Sequence, residues 1–175
     1  MKIISKNKFL AIIPARGGSI GIKNKNLSKI GNTNLLAQAI KVCKKIKSVE
    51  KIIVSTDSKK IANEAIKNKI LVPFMRSKKN STSRSNVVDA IIETIIKTEK
   101  FYRLKFENIM IIEPTSPLRK KKDIERSIRR FFKKKFEALW TISPVNSDYH
   151  PLKQTFLKNN YLNFFFNNSK KISRR

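Results

Sequence analysis

The chain of 175 residues predicts an α/β fold: a doubly wound, mostly parallel sheet with helices on both faces. Two observations carry that expectation. Short apolar runs alternate with longer segments whose apolar residues fall three and four apart, and all four glycines, Gly17, Gly18, Gly21 and Gly31, follow the first apolar run directly. In chain order, Phe9–Pro14 reads as a buried strand and Leu35–Lys47 as the helix after it. Lys51–Ser55 is the second strand, followed by a helix over Lys59–Asn68 with Ile61, Ala65 and Ile66 on one face and Asp57 or Ser58 at its N-cap. Leu71–Phe74 reads as a third strand, and Val87–Phe101 as a helix carrying Ile91, Ile92, Ile95 and Ile96. Asn108–Ile112 is a fourth strand, Ile124–Lys135 a helix capped by Asp123, and Ala138–Ile142 a fifth strand with Trp140 packed in it. From Asn146 the pattern decays, which predicts a domain over 1–145 and an excursion or dimerisation arm over 146–175, incomplete at the C-terminus. Phe164–Phe166 belong either to the core or to a subunit contact.

The length suits one domain with a real core. Forty Lys plus Arg against twelve Asp plus Glu give a formal charge of +28, which by itself points to nucleic acid or an anionic membrane. The cations, however, are spread along every helix instead of clustering with exposed aromatics, and Lys, Ile and Asn dominate as they do under A/T-rich codon usage. Neither a nucleic-acid partner nor a membrane is therefore expected. Cys43 is alone, which excludes an intrachain disulfide and a cysteine metal cluster and fits a reducing cytoplasm. The apolar run after the first lysines stops at Pro14, too short for a secretory signal, and no window has the length needed to cross a bilayer.

The glycine loop is the first chemical signal. After a strand of an open parallel sheet, glycine lets the backbone approach a ligand, and Arg16, Lys23 and Lys25 interleave with the glycines, so N–H donors and cations converge as a polyphosphate cradle. The spacing is not a Walker loop, since five beyond Gly17 is Ile22 and five beyond Gly18 is Lys23, and no triplet spaces as Gly-x-Gly-x-x-Gly. Kinase and dehydrogenase readings both fall. The second signal is Glu113-Pro114-Thr115-Ser116-Pro117-Leu118-Arg119 after the strand Asn108–Ile112: two prolines stiffen a turn that offers a carboxylate, two hydroxyls and a guanidinium. If Phe9–Pro14 and Asn108–Ile112 are neighbours, both loops face one crevice. His150, the single histidine, reads as a hydrogen-bonded structural residue or a substrate contact.

Four segments in order, Ala11 to Asn26, Ile52 to Asp57, Glu113 to Arg119 and His150-Pro-Leu-Lys153, resemble the acylneuraminate cytidylyltransferases, or CMP-sialic acid synthetases. The resemblance implies a Rossmann-like domain of the nucleotide-diphospho-sugar transferase type. It also implies transfer of CMP from CTP to the anomeric hydroxyl of an acidic nine-carbon α-keto sugar, with release of pyrophosphate, a requirement for Mg²⁺ and a homodimer. By the same resemblance Arg16 and Lys25 are catalytic and contact the triphosphate, while Ala15, Gly17 and Gly18 wrap the nucleotide. Asn26 holds the ribose end, Arg76 touches the nucleotide, and Ser83 or Ser85 meets the cytosine. Glu113, Thr115 and Ser116 line the sugar site, with Lys153 reaching in from the excursion.

Departures from the pattern sharpen the expectation. Ile20 stands where the family carries a lysine, with Lys23 as a nearby replacement cation. Glu113 replaces a glutamine, which points to a legionaminic-type sugar or a metal contact. The loop between Arg76 and Val87 is shorter than usual. The family's Asp-x-Asp pair for Mg²⁺ has no counterpart here, so metal ligands are expected to be absent and the chain alone to be weakly active or inactive. The alternatives are the related 3-deoxy-manno-octulosonate cytidylyltransferase, a non-catalytic nucleotide-binding remnant and a basic nucleic-acid-binding module.

Overall fold

The computed structural model describes residues 2–19, 21–142, 155–159 and 161–164. Two compact units result, Met1–Lys133 and Lys134–Arg175. The first runs β1 (Lys2–Ile3), β2 (Phe9–Pro14), a 3-10 turn at Lys25–Leu27, β3 (Lys29–Ile30), β4 (Thr33–Asn34), α1 (Leu35–Lys44) and β5 (Val49–Ser55). It continues with α2 (Lys59–Lys67), a 3-10 turn at Lys79–Ser81, α3 (Val87–Tyr102), β6 (Leu104–Lys105), β7 (Asn108–Ile111) and α4 (Lys121–Lys133).

The main sheet has the order β5-β2-β7, with both pairings parallel. Ile12 of the central strand faces Ile53 on one side and Ile111 on the other. β2 is an unbroken apolar run because both of its faces are covered. Leu10 and Ile12 enter one core layer with Ile53, Ile91 and Phe106, whereas Ala11 and Ile13 enter the other with Leu36, Ile40, Val54, Ile61, Ala65 and Ile124. Thus α3 supplies the first layer, and α1, α2 and α4 the second, the arrangement that the alternation of periods predicts. Cys43 is buried in the second layer, and loss of hydration pushes its thiol up to about 12, so at neutral pH it packs as a small apolar group and not as a nucleophile.

Capping follows the sequence in part. Asn34 and Asn86 cap α1 and α3, each side chain accepting from a backbone N–H of the first turn. Ser58 holds the N-cap position of α2 without a side-chain bond, and Asp57 accepts instead from Gly17. Asp123 is not a cap, because α4 begins at Lys121 and places it in the first turn, where it still complements the helix dipole.

Two expected strands do not form. Leu71–Phe74 is irregular, with Leu71 exposed: Pro73 has no N–H to give a ladder, and four residues are too few to pair around it. Ala138–Ile142 is also irregular, and Trp140 is 84% exposed instead of packed. Conversely, a short hairpin, β3 with β4, lies inside the glycine-rich stretch, and Gly31 sits at its turn with φ +58, so this glycine serves the turn and not the cradle. In the second unit β8 (Thr155–Lys158) pairs antiparallel with β9 (Tyr161–Phe164), Asn159 taking the left-handed conformation at the turn. His150 and Phe165 and Phe166 lie outside the described residues, as does the side chain of Phe164.

Candidate functional site

Because β2, β5 and β7 are parallel, their carboxyl ends share one edge, and the chain crosses from β5 on one side of β2 to β7 on the other. That switch leaves a crevice beyond the strand ends. Backbone bonds fix its floor: the Ala15 amide donates to the Ser55 carbonyl at 2.9 Å, the Arg76 amide to the Thr56 carbonyl at 2.7 Å, and the Ile112 amide to the Ile12 carbonyl at 3.0 Å. The cavity there is about 440 Å³. Three loops line it: Arg16, Ser19, Gly21, Lys25 and Asn26 after β2, Arg76, Asn80, Thr82, Ser83, Ser85 and Asn86 before α3, and Glu113, Pro114 and Thr115 after β7. A second cavity, about 330 Å³, lies around Cys43, Val49 and Leu71 at the amino end of β5, away from these loops.

The glycine loop is held by side chains from far along the sequence. The Gly17 amide donates to Asp57 at 2.8 Å, and a Cβ on Gly17 would come within 2.9 Å of the Ser58 Cβ, so the close approach of the two loops requires glycine there. Asn26, buried, donates to the Arg16 carbonyl at 3.0 Å. Arg16 in turn donates to the Thr82 carbonyl at 2.7 Å, joining the loop after β2 to the loop before α3.

Arg76 is a half-buried cation of the site. Its guanidinium donates to the Ser55 hydroxyl at 3.1 Å and carbonyl at 2.6 Å, and Ser55 shares a buried 2.7 Å hydroxyl pair with Thr94 of α3. Burial lowers its pKa, Asp57 and Glu93 oppose that, and the neighbouring Arg16 adds to it. Two guanidinium groups therefore face the same space, which suits a polyanion.

The loop before α3 is organised by Glu93. Its carboxylate accepts from the Ser77 amide at 2.9 Å, the Ser77 hydroxyl at 2.8 Å, Asn80 at 2.6 Å and Lys97 at 2.5 Å. Burial alone would raise its pKa, but hydrogen bonds from Lys97, Ser77 and Asn80 outweigh it and hold the carboxyl down to about 2. A carboxyl depressed in the fold contributes stability that is present above its ordinary value of 4.5 and lost as pH falls through that value toward 2. The expected contribution is on the order of 1–2 kcal/mol after allowance for screening at its solvent edge. Urea titrations at pH 7 and pH 3 measure it: Glu93→Gln should flatten the loss of stability between those values, and an equally steep loss in the variant would contradict the assignment.

Of the residues singled out from sequence, the cavity brings together Arg16, Lys25, Asn26, Arg76, Ser83, Ser85, Glu113 and Thr115. Ala15 is buried under the loop, and Gly17, Gly18, Ser116 and Lys23 are not part of the lining. Lys153 and Ile20 lie outside the described residues. The sequence does not single out Asn80, Thr82 and Asn86, whose polar side chains in a run of Asn, Ser and Thr carry no distinguishing spacing, nor Ser19 between Gly18 and Ile20. Among the described residues no three of His, Cys, Asp and Glu come together to hold a metal ion, and Glu113 is the one carboxylate of the lining. A hard cation needs several oxygen ligands. The donors described thus do not make a magnesium site by themselves.

Residues 10–171 match the profile of the family described as cytidylyltransferase. The chain is 32% identical over 139 residues to a CMP-N,N'-diacetyllegionaminic acid synthase of Legionella pneumophila, covering 79% of this chain and 59% of that one. It is 30% identical over 128 residues to an N-acylneuraminate cytidylyltransferase of Escherichia coli, covering 72% and 29%. In fold it is similar to a CMP:2-keto-3-deoxy-manno-octonic acid synthetase solved with CTP, at a TM-score of 0.60 and 17% identity, over 73% of this chain and 48% of that one. It is also similar to 4-diphosphocytidyl-2C-methyl-D-erythritol synthase, at a TM-score of 0.56 and 13% identity, over 73% and 55%. The chain spans about three fifths of the length of the first of these relatives. That match takes in both the glycine loop and the Glu113–Arg119 turn, and the chain belongs to the cytidylyltransferase family.

Proposed function

We propose that this chain binds CTP in the crevice beyond β2, β5 and β7 and serves transfer of CMP to an acidic α-keto sugar of the sialic or legionaminic type. The observation that carries the reading is the convergence of Arg16, Lys25 and Arg76 with Ser83, Ser85, Glu113 and Thr115 on one cavity. In the transfer, the anomeric hydroxyl oxygen of the sugar forms a bond to the α-phosphorus, the bond to the bridging oxygen of the β-phosphate breaks, pyrophosphate leaves and the hydroxyl proton is released. Negative charge builds on phosphate oxygens, so positioning and charge neutralisation by Arg16 and Lys25 are the contributions asked of this chain. Ser83 or Ser85 addresses the cytosine, Asn26 the ribose, and Glu113, Thr115 and Ser116 the sugar, joined by Lys153.

The reading extends to a domain over 1–145 with the arm 146–175 forming a homodimer. The cytoplasm is the compartment this reading calls for. Among the described residues no helix is long and apolar enough to cross a membrane. Calorimetric titration with CTP, followed by product analysis with sialic, legionaminic and 3-deoxy-manno-octulosonic acids, is the test. Binding of CTP is expected, with little or no formation of a CMP-sugar from a nine-carbon acid by this chain alone. A folded chain without affinity for CTP would end the proposal.

A further inference from the structure

We propose that Glu93 is the positioning residue of the nucleoside side of the pocket, gathering Ser77, Asn80 and Lys97 so that the 77–86 loop presents its hydroxyls to the base. The inference rests on the nucleotide reading above and adds to it a residue that does not line the cavity. Four donors from three residues converge on this one carboxylate. The two Ser77 bonds fix the residue directly after Arg76. Asn80 both bonds Glu93 and lines the cavity, so it links the anchor to the ligand space. Lys97, one turn further along α3, also donates to the Met75 carbonyl at 3.1 Å, and thereby holds the residue directly before Arg76.

The loop then propagates the constraint. The Ser81 hydroxyl donates to the Ser77 carbonyl at 2.7 Å, and the Ser85 amide and hydroxyl bond Thr82 at 3.1 and 2.7 Å. A segment rich in Ser, Asn and Lys has no apolar side chains to bury, so its conformation depends on such polar anchors. An amide in place of the carboxylate turns one acceptor oxygen into a donor facing other donors, and the loop then samples its binding conformation only part of the time. Apparent affinity falls in proportion to the competent fraction.

The purified full chain is titrated by calorimetry with CTP and, separately, with inorganic tripolyphosphate. For Glu93→Gln the Kd for CTP is expected to rise about tenfold or more, while that for tripolyphosphate, held by Arg16 and Lys25 as well as Arg76, rises by no more than about threefold. That split is what a residue acting only on global stability would not produce. Ser77→Ala, which removes one of the bonds and leaves the carboxylate charged, provides a milder variant with the same expected direction should Glu93→Gln fail to fold. If the wild type binds CTP and either folded variant binds it equally well, or loses both ligands alike, the inference is overturned and the nucleotide reading stands. If the wild type binds no CTP, both fall.

Discussion

Replacing Arg16 by alanine is expected to raise the Kd for CTP by about 10- to 100-fold, the range that follows from losing one or two charge-assisted hydrogen bonds worth roughly 1.5–3 kcal/mol. Arg16 stands at the junction of two lining loops. Its guanidinium is tied to the Thr82 carbonyl at 2.7 Å, which spends one donor and leaves others of its fork for phosphate oxygens. The residue is half-buried at the rim and contributes no side chain to either core layer, so the fold should survive the change. Calorimetry separates the effects: weakened CTP binding with a thermal midpoint close to that of the wild type is the expected pair. Unaltered CTP affinity in the Arg16→Ala protein would remove the glycine loop from the nucleotide site. Lysine at this position should recover only part of the affinity, because a point charge cannot reproduce a bidentate fork.

Ile12→Ala should cost about 3–4 kcal/mol of folding stability, within the usual range for truncating a fully buried isoleucine. Ile12 is 0% exposed in the central strand, and its side chain meets Ile53, Ile91 and Phe106 in the layer beneath α3. The strand is paired on both sides, so it cannot shift to fill the void without disturbing two ladders. A domain of this size is stable by about 5–15 kcal/mol, and the loss is therefore a large share of the whole. Ile128→Ala, at a half-buried site on α4, should cost about 1 kcal/mol or less and serves as the comparison. Urea unfolding followed by circular dichroism gives both values. A large drop in midpoint for Ile12→Ala at constant slope is expected, and equal effects at the two positions would show that β2 is not the centre of the core.

The parts of the fold that were legible are those in which one residue's neighbours dictate its environment. Phe9–Pro14 is a strand because six consecutive residues can be buried on both faces only in the middle of a parallel sheet, and α1 to α4 are visible from spacing alone. Leu71–Phe74 and Ala138–Ile142 show the limit of that logic: a four- or five-residue apolar run says that burial would be favourable, but pairing depends on a partner strand and, at Pro73, on an N–H that is missing. Half of the cavity lining was legible: Arg16, Lys25, Glu113 and Thr115 follow strand ends, and the family resemblance implies Asn26, Arg76, Ser83 and Ser85. The supports were not. Asp57 meets Gly17 across 40 positions, and Glu93 meets Ser77 across 16, distances over which no local pattern links an acceptor to its donors. Nothing in the sequence singles out Glu93 within its helix, and only the folded loop reveals its role.

Arg16 and Arg76 line the same crevice, where Asp57 and Glu93 favour the charged form of Arg76 and Arg16 opposes it. A compact polyanion there meets both guanidinium groups at once, wherever it comes from. Pyrophosphate should therefore protect the protein against heat without the cytidine half, and the growth buffer's own phosphate becomes a variable that any measurement of intrinsic stability has to hold fixed.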